Sequence, residues 1–326
     1  MNKNSFTFGD LFAGVGGFHY GLKNLGGECI YACEIDKFAR QTYLENHGIE
    51  PHEDVVKLKD NDIPYTDVIT FGFPCQDLSS IGTRIGLEEG SRSSLVYDAL
   101  DIVEKVQPKI FIAENVKGLL THNKGETYNN LLEYMRSVTG YNVYAKVLNS
   151  RDFGIPQNRE RVYMVGFRKD IDDGNFEFPE PTGRVKNLKG FLEKKVEPKY
   201  TLSDRLLKSY IYKKDDGRPF VVTEKSEYSR TLNTSYHKIQ RLTGTFVDVD
   251  GYRIRKLTPR EIYNLQGFPK SHKQVVSDTQ AYRQSGNAVT VQVVENIAKN
   301  LLPYLEEKLT ERLLDIIFNG RWRKNE

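Results

Sequence analysis

From residue 6 to about 167 the chain alternates short apolar runs with amphipathic stretches, and no other feature limits its possible folds as strongly. The runs Thr7–Phe12, Glu28–Cys33, Asp67–Phe71, Lys109–Ala113, Asn142–Leu148 and Arg161–Phe167 read as strands. Between them, Gly17–Leu25, Lys37–Asn46, Leu95–Val106 and Tyr128–Val138 have the helical period. Strands that are apolar along their length are buried on both faces, and helices joining them cover both faces, so the pattern predicts a doubly wound α/β sheet.

After Phe167 the texture changes at Pro179, Pro181 and Gly183 to a polar, basic stretch with short β-like runs at Arg218–Thr223 and Thr245–Val249. A helical period returns in Val289–Leu302 and continues towards Ile317. A chain of 326 residues exceeds one ordinary domain, so two units are expected. The larger is discontinuous, residues 1–180 plus 281–326, because the last segment packs back on the first. The smaller, 181–280, is mostly irregular or β. Charge divides along the same line. The whole chain carries +3, yet residues 184–273 hold about 21 Lys and Arg against about 10 Asp and Glu, which leaves roughly −8 elsewhere. That local excess is either a solvated lysine-rich surface or a nucleic-acid face.

The chain lacks the basic start and apolar run of a signal peptide and any apolar stretch long enough to cross a membrane, so a soluble intracellular protein is expected. Cys29, Cys33 and Cys75 cannot all pair, and no neighbouring Cys or His set completes a zinc site. Free thiols and no metal are the expectation.

The first strand runs into Asp10-Leu11-Phe12-Ala13-Gly14-Val15-Gly16-Gly17-Phe18, which opens a helix. Glycines there let backbone and helix N-terminus approach a ligand, as nucleotide-type cofactors require. Glu34 ends the second strand about 20 residues on, where a carboxylate can bind ribose hydroxyls, and a further run ending in His52-Glu53-Asp54-Val55 offers Asp54 to an adenine amino group. The sequence is not the full dinucleotide fingerprint, and a plain tight turn would look the same.

The next strand enters Gly72-Phe73-Pro74-Cys75-Gln76, followed by a polar, Gly- and Ser-containing loop to Arg92. Cys75 thus falls just past a strand's carboxyl end, where doubly wound folds bind ligands, and the loop length suits a lid. A lone cysteine is also commonly a buried small hydrophobe. Glu114, in Ala113-Glu114-Asn115-Val116, reaches the same edge. An ionised carboxylate beside a nucleophilic thiol raises the thiol pKa, so the pair makes sense only if Glu114 acts on the substrate. Otherwise it is an acid at a helix N-terminus. Arg161, in Gln157-Asn158-Arg159-Glu160-Arg161, can point a donor at a carbonyl of that substrate, or belong to a solvated surface pair.

Together with Arg255-Lys256-Leu257-Thr258-Pro259-Arg260-Glu261, Gln266-Gly267-Phe268-Pro269 and Gly286-Asn287-Ala288-Val289, these segments resemble the DNA (cytosine-5)-methyltransferase family, in the family's order and over almost the whole chain. The resemblance implies a Rossmann-like S-adenosyl-L-methionine-dependent enzyme acting on double-stranded DNA. Its catalytic set would be Cys75, Glu114, Arg159 and Arg161. Cys75 would attack carbon 6 of a flipped-out cytosine, Glu114 would hold the ring nitrogen and amine, and Arg161 the ring oxygen. Phe12, Gly14, Gly16, Gly17, Glu34 and Ile35 would surround the cofactor, with Asp54, Pro74, Leu95, Asn287 and Ala288. Ser229–Tyr236 resembles the family's Thr-Leu recognition element, so Arg230, Thr231, Asn233, Ser235 and Tyr236 are expected at DNA, with Ser79 and Arg92 of the lid. Leu78 and Ile81 depart from the usual lid residues.

The compact size implies a restriction-modification role, with a cognate endonuclease as functional partner; a monomer is expected because an asymmetric site-reading domain needs no twin to engage one strand, and a cytoplasmic location goes with both. Competing readings are an RNA cytosine-5-methyltransferase, a nicotinamide oxidoreductase, which leaves Pro74-Cys75-Gln76 and Glu114-Asn115-Val116 unexplained, and a non-catalytic DNA-binding relative.

Overall fold

The structure, a computed structural model, describes residues 6–74, 95–137, 139–213 and 218–306. Six strands form the main sheet: β1 (Phe6–Leu11), β2 (Gly27–Cys33), β3 (Val68–Gly72), β4 (Ile110–Val116), β5 (Tyr141–Asn149) and, after the two-residue β6 (Gln157–Asn158), β7 (Glu160–Arg168). Their order is β2-β1-β3-β4-β7-β5. The connecting helices are α1 (Gly17–Lys23), α2 (Lys37–His47), α3 (Val55–Lys59), α4 (Leu95–Val106) and α5 (Glu126–Ser137).

The strand assignments hold to within a few residues, with two differences. The run ending in His52-Glu53-Asp54-Val55, between the second and third of those strands, contributes an isolated bridge, His52 to Cys33, rather than a strand. β7 runs antiparallel to both β4 and β5. A parallel neighbour needs a crossover of a dozen or more residues, and the short segment between β5 and β7 leaves no room for one.

The strict period of two explains why the inner strands look uniformly apolar. In β4, Phe111 and Ala113 join one core with Ile69, Phe71, Val96, Leu100, Val103, Leu131 and Met135. Ile110 and Ile112 face the opposite core with Phe8, Val68, Phe18 and Leu22. That second core is closed by α9 (Val291–Leu305), through Val293, Val294, Ile297 and Leu301. α1 and α9 pack closely enough that a Cβ on Gly21 would lie 2.6 Å from Val294 Cγ1. The expected continuation towards Ile317 lies outside the described residues.

The region after 180 is built on the short α6 (Asp204–Leu206), β8 (Phe220–Val222), β9 (Ser229–Arg230), β10 (Thr245–Asp248) and β11 (Ile254–Lys256). β11-β10-β8 form a three-stranded sheet, and β9 pairs in parallel with β6. Two further helices, α7 (Pro259–Leu265) and α8 (Asp278–Asn287), face both units. Ile262, Leu265 and Tyr282 pack with Leu188, Leu232 and Val247, whereas Tyr263, Ala281 and Phe268 pack with Val15 and Ala39. α7 starts on a capping box, with Thr258 and Glu261 each accepting from the other's backbone N–H. The same buried Glu261 carboxylate receives both Nη groups of Arg255 at 2.7 Å.

Candidate active site at the carboxyl edge of the sheet

The turn after β1 holds three left-handed residues, Phe12 (φ 52°), Gly14 (φ 56°) and Gly16 (φ 85°). Gly14 and Gly16 are glycine for different reasons. A Cβ on Gly16 would lie 2.0 Å from Nε2 of His47, whereas one on Gly14 would meet nothing within 4 Å. The turn is therefore packed beneath Gly16 and open above Gly14. Glu34 links the turn to β2: Oε2 accepts from Gly14 N and Oε1 from Asp36 N, each at 2.8 Å. Each carboxylate oxygen keeps a lone pair for a further donor. Beside it Ile35 is 72 % exposed, an apolar surface at the rim of the turn.

The other predicted cofactor residues converge on this place. Asp54 caps α3 through Val56 N and is brought to the end of β2 by the main-chain bond from Glu34 N to His52 O, 2.8 Å. Phe12 and Leu95 pack on the core that contains Val55 and Phe73, the neighbours of Asp54 and Pro74. Ala288 packs with Val15, and Gly17 admits Val289, whose Cγ2 would be 2.7 Å from an added Cβ. Asn287, the exposed last residue of α8, is thereby set beside the turn.

β3 and β4 end together, with Gly72 in register with Glu114. The reversed direction of β7 brings its first residues to this edge, pairing Val116 with Arg161 and Glu114 with Tyr163. Residues 114 and 161 then share a face as diagonal neighbours, and Arg161 Nε lies 3.0 Å from Glu114 Oε1. The N–H is not aimed at that oxygen, so the contact is an ion pair rather than a hydrogen bond, and Oε1 accepts no hydrogen bond among the described residues. Burial raises the pKa of Glu114, and the charges of Arg161 and Arg159 only partly offset this. An added Cβ on Gly72 would sit 3.5 Å from Glu114 Oε2. Asn115 holds the approach to the next segment, its Nδ2 donating to Phe73 O at 3.0 Å. Cys75, Ser79 and Arg92, with Leu78 and Ile81, lie outside the described residues.

Arg159 is not at this edge in the way Arg161 is. It is 3 % exposed and donates to three main-chain carbonyls, Leu232, Gly286 and Ala288. Among the residues expected at DNA, Arg230 donates to Leu242 O and stacks 4.6 Å over Phe220, while Thr231 Oγ1 donates to Asn158 O at 2.6 Å. Asn233 and Gln240 bond across the base of the loop at 2.9 Å, and Ser235 N donates to Asn233 Oδ1. Tyr236 turns inward instead: it is buried, its hydroxyl donating to Thr245 O and accepting from Leu257 N. An aromatic ring that joins two strands of a small core is not presented to a groove.

The sequence model of the family described as C-5 cytosine-specific DNA methylase matches residues 6–303. The chain belongs to the C-5 cytosine-specific DNA methylases. It is 44 % identical over 295 residues to the Type II methyltransferase M.BsuFI of Bacillus subtilis, covering 90 % of this chain and 71 % of that one. It is 41 % identical over 300 residues to the Type II methyltransferase M.MspI of Moraxella sp, covering 92 % and 71 %. The fold resembles that of the S. pombe Dnmt2 methyltransferase, with a TM-score of 0.74 at 22 % identity over 93 % of this chain and 100 % of that one. Membership in this DNA methylase family removes the oxidoreductase reading. Among the described residues no helix is long and apolar enough to cross a membrane.

Sequence reasoning missed the work of Asn115, Gln157 and the Arg255–Glu261 pair. The available signal was the Gln157-x-Arg159-x-Arg161 spacing, whose three side chains divide between two tasks, and the capping-box spacing of Thr258 and Glu261.

Proposed function

We propose that this methylase adds the thiolate of Cys75 to carbon 6 of a cytosine flipped from duplex DNA, with Glu114 and Arg161 holding the base. The observation that carries this reading is the Glu114–Arg161 pair beside Phe73, whose carbonyl Asn115 holds two residues before Cys75. A raised Glu114 pKa keeps a proton available for the ring nitrogen as the thiolate adds, and the Arg161 guanidinium donates to the ring oxygen. Both contacts pull electron density from the ring and make carbon 6 open to attack, while carbon 5 becomes the nucleophile. Carbon 6 is out of reach inside a duplex, so the base must leave the stack at a cost of roughly a few kcal/mol. Phosphate contacts from the basic second unit offset that cost.

The residues of the turn fit S-adenosyl-L-methionine. Space above Gly14, a Glu34 carboxylate with free lone pairs and the exposed Ile35 suit an adenosine, and Phe12, Gly16, Gly17, Asp54, Pro74, Leu95, Asn287 and Ala288 complete the surround. When bound, that cofactor supplies an electrophilic methyl group. The Type II relatives support a restriction-modification role; a cognate endonuclease as functional partner, a monomeric protein and a cytoplasmic site of action are part of the same proposal.

The test is bisulfite sequencing of plasmid DNA from cells expressing the chain. The expected result is 5-methylcytosine at one defined sequence, absent with Cys75→Ala, a variant expected to retain DNA binding. Activity retained by that variant would sink the covalent route, and methylation of RNA but not DNA would sink the substrate assignment.

A further inference from the structure

Two residues before Arg161, a second arginine sits in a buried seam that joins the recognition side of the protein to the cofactor side. Arg159 Nη1 donates to Leu232 O at 3.1 Å, and Nη2 donates to Gly286 O at 3.2 Å and Ala288 O at 2.8 Å. The Leu232 peptide is gripped from both sides, because its N–H donates to Gln157 Oε1 at 3.0 Å, and Gln157 Nε2 in turn donates to Leu265 O at 2.7 Å. Here the two walls touch backbone to backbone: a Cβ on Gly286 would lie 2.4 Å from Asn233 C and from Thr234 N. Gly286 and Ala288 flank Asn287, the exposed residue beside the cofactor turn, while Leu232–Thr234 form the base of the recognition loop.

We propose that Arg159 is a positioning residue that registers the recognition loop against the Asn287 turn, so that the placement of DNA and of cofactor share one guanidinium. The proposal rests on the methyltransferase reading above. Its physical ground is the price of the arrangement: a guanidinium is costly to bury, and here its hydrogen bonds go to neutral carbonyls, so that only the more distant charge of Glu114 offsets the burial in part. Its planar fork reaches three carbonyls at fixed separations, which the single ammonium of lysine cannot do. Displacement of Leu232–Thr234 on DNA binding is transmitted to Gly286–Ala288 through contacts that have no slack, and linkage requires the effect to be reciprocal.

The experiment measures binding of S-adenosyl-L-homocysteine to the full chain by calorimetry in the absence of DNA, with thermal unfolding followed in parallel. Arg159→Lys is expected to weaken binding about tenfold. Gly286→Ala, which leaves the guanidinium in place but pushes the walls, and the Gly286 carbonyl it bonds, apart, should do the same, and the double variant should be no weaker than the worse single one, since both act on one seam. Arg161→Lys should leave this affinity unchanged. An Arg159→Lys protein that binds like wild type while kcat falls would overturn the proposal in favour of direct substrate contact. Variants that lose only unfolding temperature would reduce Arg159 to a structural role and overturn it as well. If Arg159→Lys does not fold, Gly286→Ala decides, and wild-type affinity there overturns the proposal. Wild-type protein that does not bind S-adenosyl-L-homocysteine would remove the cofactor reading itself, and the seam's function with it.

Discussion

Glu114 holds its carboxyl group where ionisation is least favourable. Burial pushes its pKa above the ordinary 4.5, and Arg161 and then Arg159 reduce the shift without cancelling it. A folded-state value above the unfolded one means that the folded protein holds the proton more tightly, so the contribution to stability is full below about 4.5 and is lost as pH rises through the folded value. Glu114→Gln removes a group that is a burden at neutral pH. The variant is expected to unfold at a higher temperature than wild type at pH 8, with the difference shrinking towards pH 4, while methyl transfer falls by about 10²–10⁴-fold. Thermal unfolding at several pH values alongside a steady-state assay checks both halves, and a lower unfolding temperature at pH 8 would mean that the Arg161 pair outweighs burial. Glu114 was legible because it ends an apolar run. Arg161 reads as acting on the same substrate, but its direct contact with Glu114 was not legible, since it depends on the reversal of β7. Nor was the division between Arg159 and Arg161, two arginines with the same neighbour, because the acceptors of Arg159 lie 73, 127 and 129 positions away.

At the scale of an element, the turn after β1 separates open space from packing within three residues. Gly14→Ala meets only left-handed strain, worth about 1 kcal/mol, and puts a methyl group into the open space of the turn. It should unfold within a few degrees of wild type and lose most of its affinity for S-adenosyl-L-homocysteine. Gly16→Ala adds a collision with His47 to similar strain and should lose at least about 1–3 kcal/mol. Denaturant unfolding and calorimetry on the pair check the contrast, and equal losses of stability would refute it. The Gly-x-Gly-Gly spacing was visible in sequence, yet which glycine does which task depends on α2 delivering His47. α7 gives a parallel case. Glu261 closes the capping box, and among the described residues it is also the one carboxylate paired with Arg255, with side-chain exposures of 6 % for Arg255 and 0 % for Glu261. Glu261→Gln strands a buried guanidinium and should lower stability by about 3–5 kcal/mol, far beyond the roughly 1 kcal/mol of a lost cap. Urea unfolding distinguishes the two.

At the scale of the whole molecule the decisive asymmetry is electrostatic. Residues 184–273 carry roughly +11, and the remainder about −8. Several of the basic groups are already committed: Arg255 to Glu261, Arg230 to Leu242 O, and Arg260 to Pro269 O and His272 O. Others, such as Lys238, Lys225 and Lys208, stand exposed on the same unit. A polyanion meets attraction from one side of this protein and repulsion from the other, so the field selects an orientation before any base is read. Neutralising six or more phosphates releases their counterions, and binding of a duplex without the target sequence should weaken by about 10³-fold or more between 50 and 200 mM salt. Affinity for S-adenosyl-L-homocysteine without DNA should change by less than about twofold over the same range, because the contacts proposed for it are local and partly buried. Fluorescence anisotropy on a labelled non-target duplex, with calorimetry at both salt concentrations, measures the two slopes. A shallow slope for DNA would assign the basic excess to a solvated surface and leave duplex capture to the catalytic edge alone.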